Sequence, residues 1–355
     1  MPSEQQSTGA AADGHTEITV VGADRTGIVA AVTGLLFEHG ANIEDVEQTV
    51  RDGVFRMTLL ADLGAERSET PERASSEGRS PSNRSSGRSP REDGDAASSG
   101  FDRGGAPVTD REAFREELHA TGEDLGVDVT VRFPGERDDG IAVLVTKEDH
   151  CLRAVLDADL QAPVRVVVGN HDDLQPIADE HGVPFHDIGD ESGTPDEDRL
   201  LALLDEYDVD LVLLARYMRI LSPDVVFRYA GRIVNVHPSL LPAFPGAQAY
   251  RQAVEAGVRV AGVTAHYVTT DLDQGPILTQ RAFTVPPDAG VEDLRARGQP
   301  LEAEALVEAV RVHLAGDATV RRGAVEVTGD HQFGMPAAAS NANPDRPLDV
   351  EPGDD

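Results

Sequence analysis

Asn235 and His237 stand two residues apart in RIVNVH, a segment apolar enough to form a strand. On an extended chain both side chains project to one face, while Val234 and Val236 turn to the other. An amide donor and an imidazole in one space can stabilise a developing oxyanion and move a proton. The chain continues as PSLLPAFPGAQAY, where Pro238, Pro242 and Pro245 stiffen it and bend it away from the sheet. A second segment, AHYVTTDLDQGPIL, begins as a strand and becomes a polar loop carrying Asp271 and Asp273 before a turn at Gln274, Gly275 and Pro276. Either aspartate could reach a histidine at the end of a neighbouring strand, or could instead satisfy turn amides.

The elements that would position these residues alternate from residue 140 onward. Strands are expected at IAVLVT, VRVVVG, VPFHDI, VDLVLLA, RIVNVH and AGVTAHYV. Helices are expected at HCLRAVLDADL, near 172–182, at DEDRLLALLDEYD, and near 222–230, 246–257 and 291–315. Such alternation predicts a Rossmann-like, mostly parallel sheet covered on both faces, with ligands bound outside the carboxyl ends of its strands. No P-loop and no G-x-G-x-x-G occurs, so no glycine fingerprint for a nucleotide is present.

Residues 17–62 read as a smaller unit: strand EITVVGA, helix DRTGIVAAVTGLLFEHG, then two strands within ANIEDVEQTVRDGVFRMTLLADL. Asp24 is the expected N-cap and Gly40 the stop, with Ile28, Val32, Leu35 and Leu36 on one helix face. Residues 64–106 turn abruptly to Ser, Gly, Arg, Pro and Glu, a composition that predicts disorder. The helix DREAFREELHATGEDLG and the strand VDVTVRF then complete a β-α-β-β-α-β order, hence an α/β chain with a ferredoxin-like domain at 17–133 ahead of the larger one at 140–328. Residues 1–16 and 329–355 are expected to be disordered.

A net charge of −33 repels nucleic acid, and we read it as adaptation to concentrated salt, where screening relieves self-repulsion. Lys147 is the only lysine. The single cysteine, Cys151, cannot form an internal disulfide, and the polar, acidic N-terminus precedes no apolar run long enough to span a membrane. These features predict a cytoplasmic protein. Cys151 beside His150 makes neither a ligand set nor a nucleophile with its base, so no metal is expected.

The combination N-x-H-P-S-L-L-P and H-Y-V-T-x-x-L-D-x-G-P, with LARYMRIL at 214–221, resembles the folate-dependent formyltransferase family over residues 140 to about 320. That resemblance implies that Asn235, His237 and Asp273 are the catalytic trio. It places the pteridine against Met218, Arg219, Ile220, Leu221 and a loop comprising Val268, Thr269, Thr270, Asp271 and Asp273. The formyl group would come from 10-formyltetrahydrofolate as substrate, with no permanently bound cofactor.

The acceptor separates the relatives. A glycinamide ribonucleotide acceptor calls for a glycine-rich phosphate loop after the first strand, whereas this chain has KEDHCLRAVL with Glu148 and Asp149. A transfer RNA acceptor calls for a basic surface. Water remains: V-T-K-E-x-H-C-L and GNHDDL resemble the deformylase branch, which implies hydrolysis to formate and tetrahydrofolate. Lys147, His150 and Cys151 either line the acceptor side or only pack. VVGADRTGIVAAVTGLLFEHGANIEDVEQ resembles an ACT domain, implying a homo-oligomer and an amino-acid effector near Asp24, Arg25, Gly27 and Asn42. Two alternatives stay open: a glycinamide ribonucleotide formyltransferase, and a noncatalytic amino-acid sensor.

Overall fold

The structure, a computed structural model, describes residues 15–63, 108, 110–136, 140–321 and 324–327. The expectations for 64–106 and 329–355 lie outside the described residues, as does nearly all of 1–16.

The first unit runs β1 (Thr16–Ala23), α1 (Ile28–Glu38), β2 (Asn42–Arg51), β3 (Val54–Asp62), α2 (Arg111–Leu125) and β4 (Val127–Arg132). Its strands pair antiparallel in the order β2-β3-β1-β4, the ferredoxin-like arrangement that the element order predicts. Alternation decides its faces. Ile18, Val20, Phe55, Met57 and Leu59 pack against Ile28, Val32, Leu35 and Leu36 of α1 and Phe114 and Leu118 of α2. Asp110 caps α2 by accepting from Ala113 N. Asp24 caps nothing, which corrects the sequence expectation: α1 starts only at Ile28, after Gly27 in the left-handed region. The Asp24 amide instead donates to Gly53 O, joining the two turns at that end of the sheet. At the other end Gly40 is left-handed, and its amide donates to Phe37 O as a helix stop.

The second unit comprises β5 (Gly140–Val145), α3 (His150–Asp157), β6 (Val164–Gly169), α4 (Gln175–Glu180), β7 (Phe185–Asp187), α5 (Glu197–Glu206) and β8 (Val209–Ala215). It continues with α6 (Pro223–Arg228), β9 (Ile233–His237), α7 (Ala249–Glu255), β10 (Val260–Tyr267), β11 (Ile277–Thr284) and α8 (Val291–Ala315). A hairpin of β12 (Ala318–Arg321) and β13 (Ala324–Val327) follows. The seven-stranded sheet has the order β11-β10-β9-β8-β5-β6-β7. Strands β5 to β9 are parallel, and at one edge β10 alone is reversed, pairing antiparallel with β9 and with β11. The apolar runs of β5 and β8 are covered on both faces. Val143 and Leu213 join the layer under α3 and α8, and Leu144 and Leu214 join the layer under α5 and α6.

The uncovered face of the first sheet rests on α6 through buried Val21 and Arg56. Ion pairs bracket that contact: Arg132 and Arg232 share Asp210, and Arg228 pairs with Asp128.

Candidate active site

The chain turns direction at β5: β6 and β7 lie to one side of it and β8 and β9 to the other. The carboxyl edge around such a switch point is where an open α/β sheet leaves a crevice. Asn235 and His237 end β9 at this edge, with Val234 and Val236 turned into the core beneath α8, as alternation requires.

Antiparallel pairing of β9 with β10 sets His266 directly opposite Asn235 and Thr264 opposite His237. The loop after β10 then returns Asp273 to the same place. Its Oδ2 lies 3.4 Å from His237 Nδ1, and its Oδ1 lies 3.7 Å from His266 Nε2. Gly246 N donates to Asp273 Oδ2 at 2.7 Å, so the stiff segment after β9 clamps the carboxylate. Gly275 lets the loop fold tightly, because a Cβ there would fall 1.8 Å from Tyr267 O. Asp273 itself is left-handed, with φ 52. Arg216, Phe244 and Gln248 are left-handed too, so backbone strain gathers along this edge.

Hydrogen bonds fix the tautomers. His237 Nε2 donates to Phe244 O at 2.9 Å, which leaves Nδ1 facing Asp273. His266 Nδ1 donates to Tyr267 O at 2.9 Å, so its Nε2 accepts from Asn235 Nδ2 at 3.2 Å. Burial pushes the His266 pKa down, against smaller opposing effects of the Tyr267 carbonyl and Asp273. A neutral His266 thus orients the Asn235 amide and leaves its second N–H for a ligand. Sequence reasoning gave His266 no role, because only the β9–β10 register reveals it.

Of the two candidate aspartates, Asp273 reaches the histidine. Asp271 turns away and accepts from Arg51 of the first unit. The residues expected around the pteridine divide likewise. Met218 and Ile220, after β8, are 55% and 75% exposed, and neither is held by the core. Leu221 is buried beneath them, and Arg219 donates to Ser192 O. Val268, Thr269 and Thr270 face a crevice against the first unit.

The expected effector residues do not converge within one chain. Asp24, Arg25 and Gly27 lie by the β2–β3 turn, whereas Asn42 starts β2 at its far end, about 30 Å away at the usual rise per residue. Arg25 is tied to Leu125 O, and Asn42 to Glu44.

A second polar cluster fills the β5–β8 side. Glu302 of α8, fully buried, accepts from Tyr250 OH and lies 3.0 Å from His150 Nε2 and 3.3 Å from Arg216 Nε. Arg216 also donates to Glu148 at 2.8 Å. Burial alone would raise the Glu302 pKa, but His150, Arg216 and Tyr250 together hold it below the ordinary value. His150, Cys151 and Glu302 offer donor atoms within 4.8 Å of one another. However, burial pushes the Cys151 thiol pKa far up, and both Glu302 oxygens are committed to protein donors. Lys147 stands at the rim, its side chain 58% exposed and 3.8 Å from Asp173.

Comparison with known proteins agrees with this architecture. Residues 140–310 match the formyl transferase family and residues 17–74 the ACT domain. A formyltetrahydrofolate deformylase of Bacillus subtilis is 33% identical over 304 residues, covering 82% of this chain and 86% of that protein. One from Synechocystis is 43% identical over 180 residues, covering 49% of this chain and 63% of that protein. The crystal structure of a Pseudomonas syringae formyltetrahydrofolate deformylase superposes with TM-score 0.52 at 25% identity, over 89% of this chain and 94% of that one. A glycinamide ribonucleotide transformylase from Symbiobacterium toebii gives TM-score 0.52 at 35% identity, but over only 56% of this chain and 98% of its own.

Proposed function

The chain belongs to the formyltetrahydrofolate deformylase family, and from that premise we propose that it hydrolyses 10-formyltetrahydrofolate to formate and tetrahydrofolate at Asn235, His237 and Asp273. The supporting observation is the Asp273 carboxylate, set between two imidazoles and beside the Asn235 amide at the open end of β9.

Asp273 Oδ1 is the oxygen left beyond hydrogen-bond distance of His266, and it takes a proton from water as the water oxygen bonds to the formyl carbon. The carbonyl oxygen becomes an oxyanion that receives the free Asn235 N–H, while His237 Nδ1 stays beside the Asp273 carboxylate. Collapse breaks the bond from the formyl carbon to N10. The nitrogen takes the proton that Asp273 removed from water, which restores the carboxylate, and the product carrying the water oxygen leaves as formic acid and ionises to formate.

In this reading the units at 17–133 and 140–328 are regulatory and catalytic. The protein is a cytoplasmic homo-oligomer whose acidic surface suits concentrated salt, and an amino acid acts on the ACT domain. Among the described residues no helix is long and apolar enough to cross a membrane. Release of formate from 10-formyltetrahydrofolate in high salt, with and without glycinamide ribonucleotide, tests the activity. Formate in both arms supports the proposal. Formyl transfer to the nucleotide, or no turnover, would select one of the two alternatives.

A further inference from the structure

Two arginines of the first sheet reach the loop that carries Asp273. Arg51, at the end of β2, donates from Nη2 to Asp271 Oδ1 at 2.9 Å. Arg56 stands on β3 between Phe55 and Met57, which point into the helix-covered core, so alternation turns Arg56 to the opposite face. There it is 6% exposed and lines one narrow crevice with Val226 and Phe227 of α6 and with Val268, Thr269 and Thr270 of the loop. The crevice between them has a free volume of about 10 Å³, room for one water, so it is a seam and not a ligand pocket. Burial lowers the Arg56 pKa, with the charges of Glu47 and Glu17 acting the other way. Its Nε has no hydrogen-bond partner among the described residues. A guanidinium placed so expensively for the fold itself calls for a role beyond it.

The loop needs an outside support. Tyr267 N bonds Pro276 O and closes its neck, and Val268 N bonds Ile233 O, tying its root to β9. The residues between belong to no strand or helix, yet they end in a left-handed Asp273 whose carboxylate must meet His237.

We infer that the ACT-type domain seats the Asp273 loop, and that Arg51 and Arg56 are positioning residues for the hydrolysis proposed above, on which this inference rests. A displacement of about 1 Å in a catalytic group can cost ~100-fold in rate. The two arginines act against that displacement from the far side of the loop, through the Asp271 carboxylate and through packing under Thr269 and Thr270. Any movement of the first sheet relative to α6 is thereby felt at Asp273.

The test uses the full chain and formate release. Arg51→Glu and Asp271→Arg should each lower kcat about fivefold, and the double exchange should restore most of it; an exposed pair contributes little to stability, so the thermal midpoint should stay put. Arg56→Gln should lower kcat by about tenfold or more, with Arg56→Lys recovering part. Should Arg56→Gln fail to fold, the charge exchange decides alone. The inference is overturned if Arg51→Glu and Arg56→Gln keep full kcat while Asp273→Asn is inactive, or if the double exchange restores nothing. An active Asp273→Asn would instead sink the proposed function.

Discussion

His150–Glu302 and His237–Asp273 are both histidine–carboxylate pairs at the carboxyl edge of one sheet, yet they differ in how completely they are bonded. Glu302 is fully buried and receives Tyr250, His150 and Arg216. Asp273 keeps its histidines at 3.4 and 3.7 Å, with a single amide bonded at 2.7 Å. Saturated bonding suits a group that holds elements together. Spare bonding capacity, beside a second unspent donor on Asn235, suits a group that must meet a changing charge. The contrast turns on partners and not on residue type, since each pair joins an imidazole to a carboxylate.

The largest expected effect falls on the saturated pair. Glu302→Ala leaves Tyr250 and His150 without their carboxylate and Arg216 with Glu148 alone, and should lower unfolding free energy by about 3 kcal/mol, measured by urea denaturation. Turnover per folded molecule should change far less than in the trio variants. An unaltered urea midpoint would erase the distinction between the pairs.

On the unsaturated side the effect should appear in rate and not in stability. Asn235→Ala removes an oxyanion donor, so kcat should fall roughly 100- to 1,000-fold. Asp273→Asn and His237→Ala should each cost about 100-fold or more with folate binding retained, and the double variant should be hardly worse than either single one. Full additivity in the double variant would mean that the two residues do not act as a unit.

His266→Ala tests the link between Asn235 and its orienting partner. It removes one neutral hydrogen bond, worth ~1 kcal/mol, so kcat should drop about five- to tenfold. A loss as large as that of Asn235→Ala would make His266 a participant in the chemistry.

The smallest effect is a pH dependence. Glu302 has a folded pKa below its ordinary 4.5, so its ionised form contributes stability in full above that value. The contribution is lost as pH falls through the lower folded pKa. The stability difference between the native chain and Glu302→Gln should therefore be constant at neutral pH and shrink in acid. A difference that grows in acid would contradict the assigned direction.

Much of this was legible in the chain because period and turn chemistry act locally. The alternation around Asn235 and His237 fixed their common face, and the apolar runs of β5 and β8 fixed a doubly covered sheet. What escaped depended on register or on contacts distant in sequence. His266 joins the candidate site only through its pairing with Asn235. ILTQRAFT carries no strong apolar alternation, so β11 went unforeseen; pairing with β10 makes it a strand. Arg56 looks like any strand arginine until α6 covers it. Asp24 has the right chemistry for a cap, but an intervening turn delays α1 to Ile28.

Lys147, alone of its type and well exposed beside the switch point, makes the site addressable. Amine-directed reagents have one side-chain target in the whole chain, so a fluorophore coupled there reports from the mouth of the crevice. The background is dark as well: with no tryptophan and five tyrosines, intrinsic emission is weak and leaves the near-ultraviolet open for the pterin's own signal. Energy transfer between the pterin and a dye on Lys147 would time the arrival of folate and the departure of product within single turnovers.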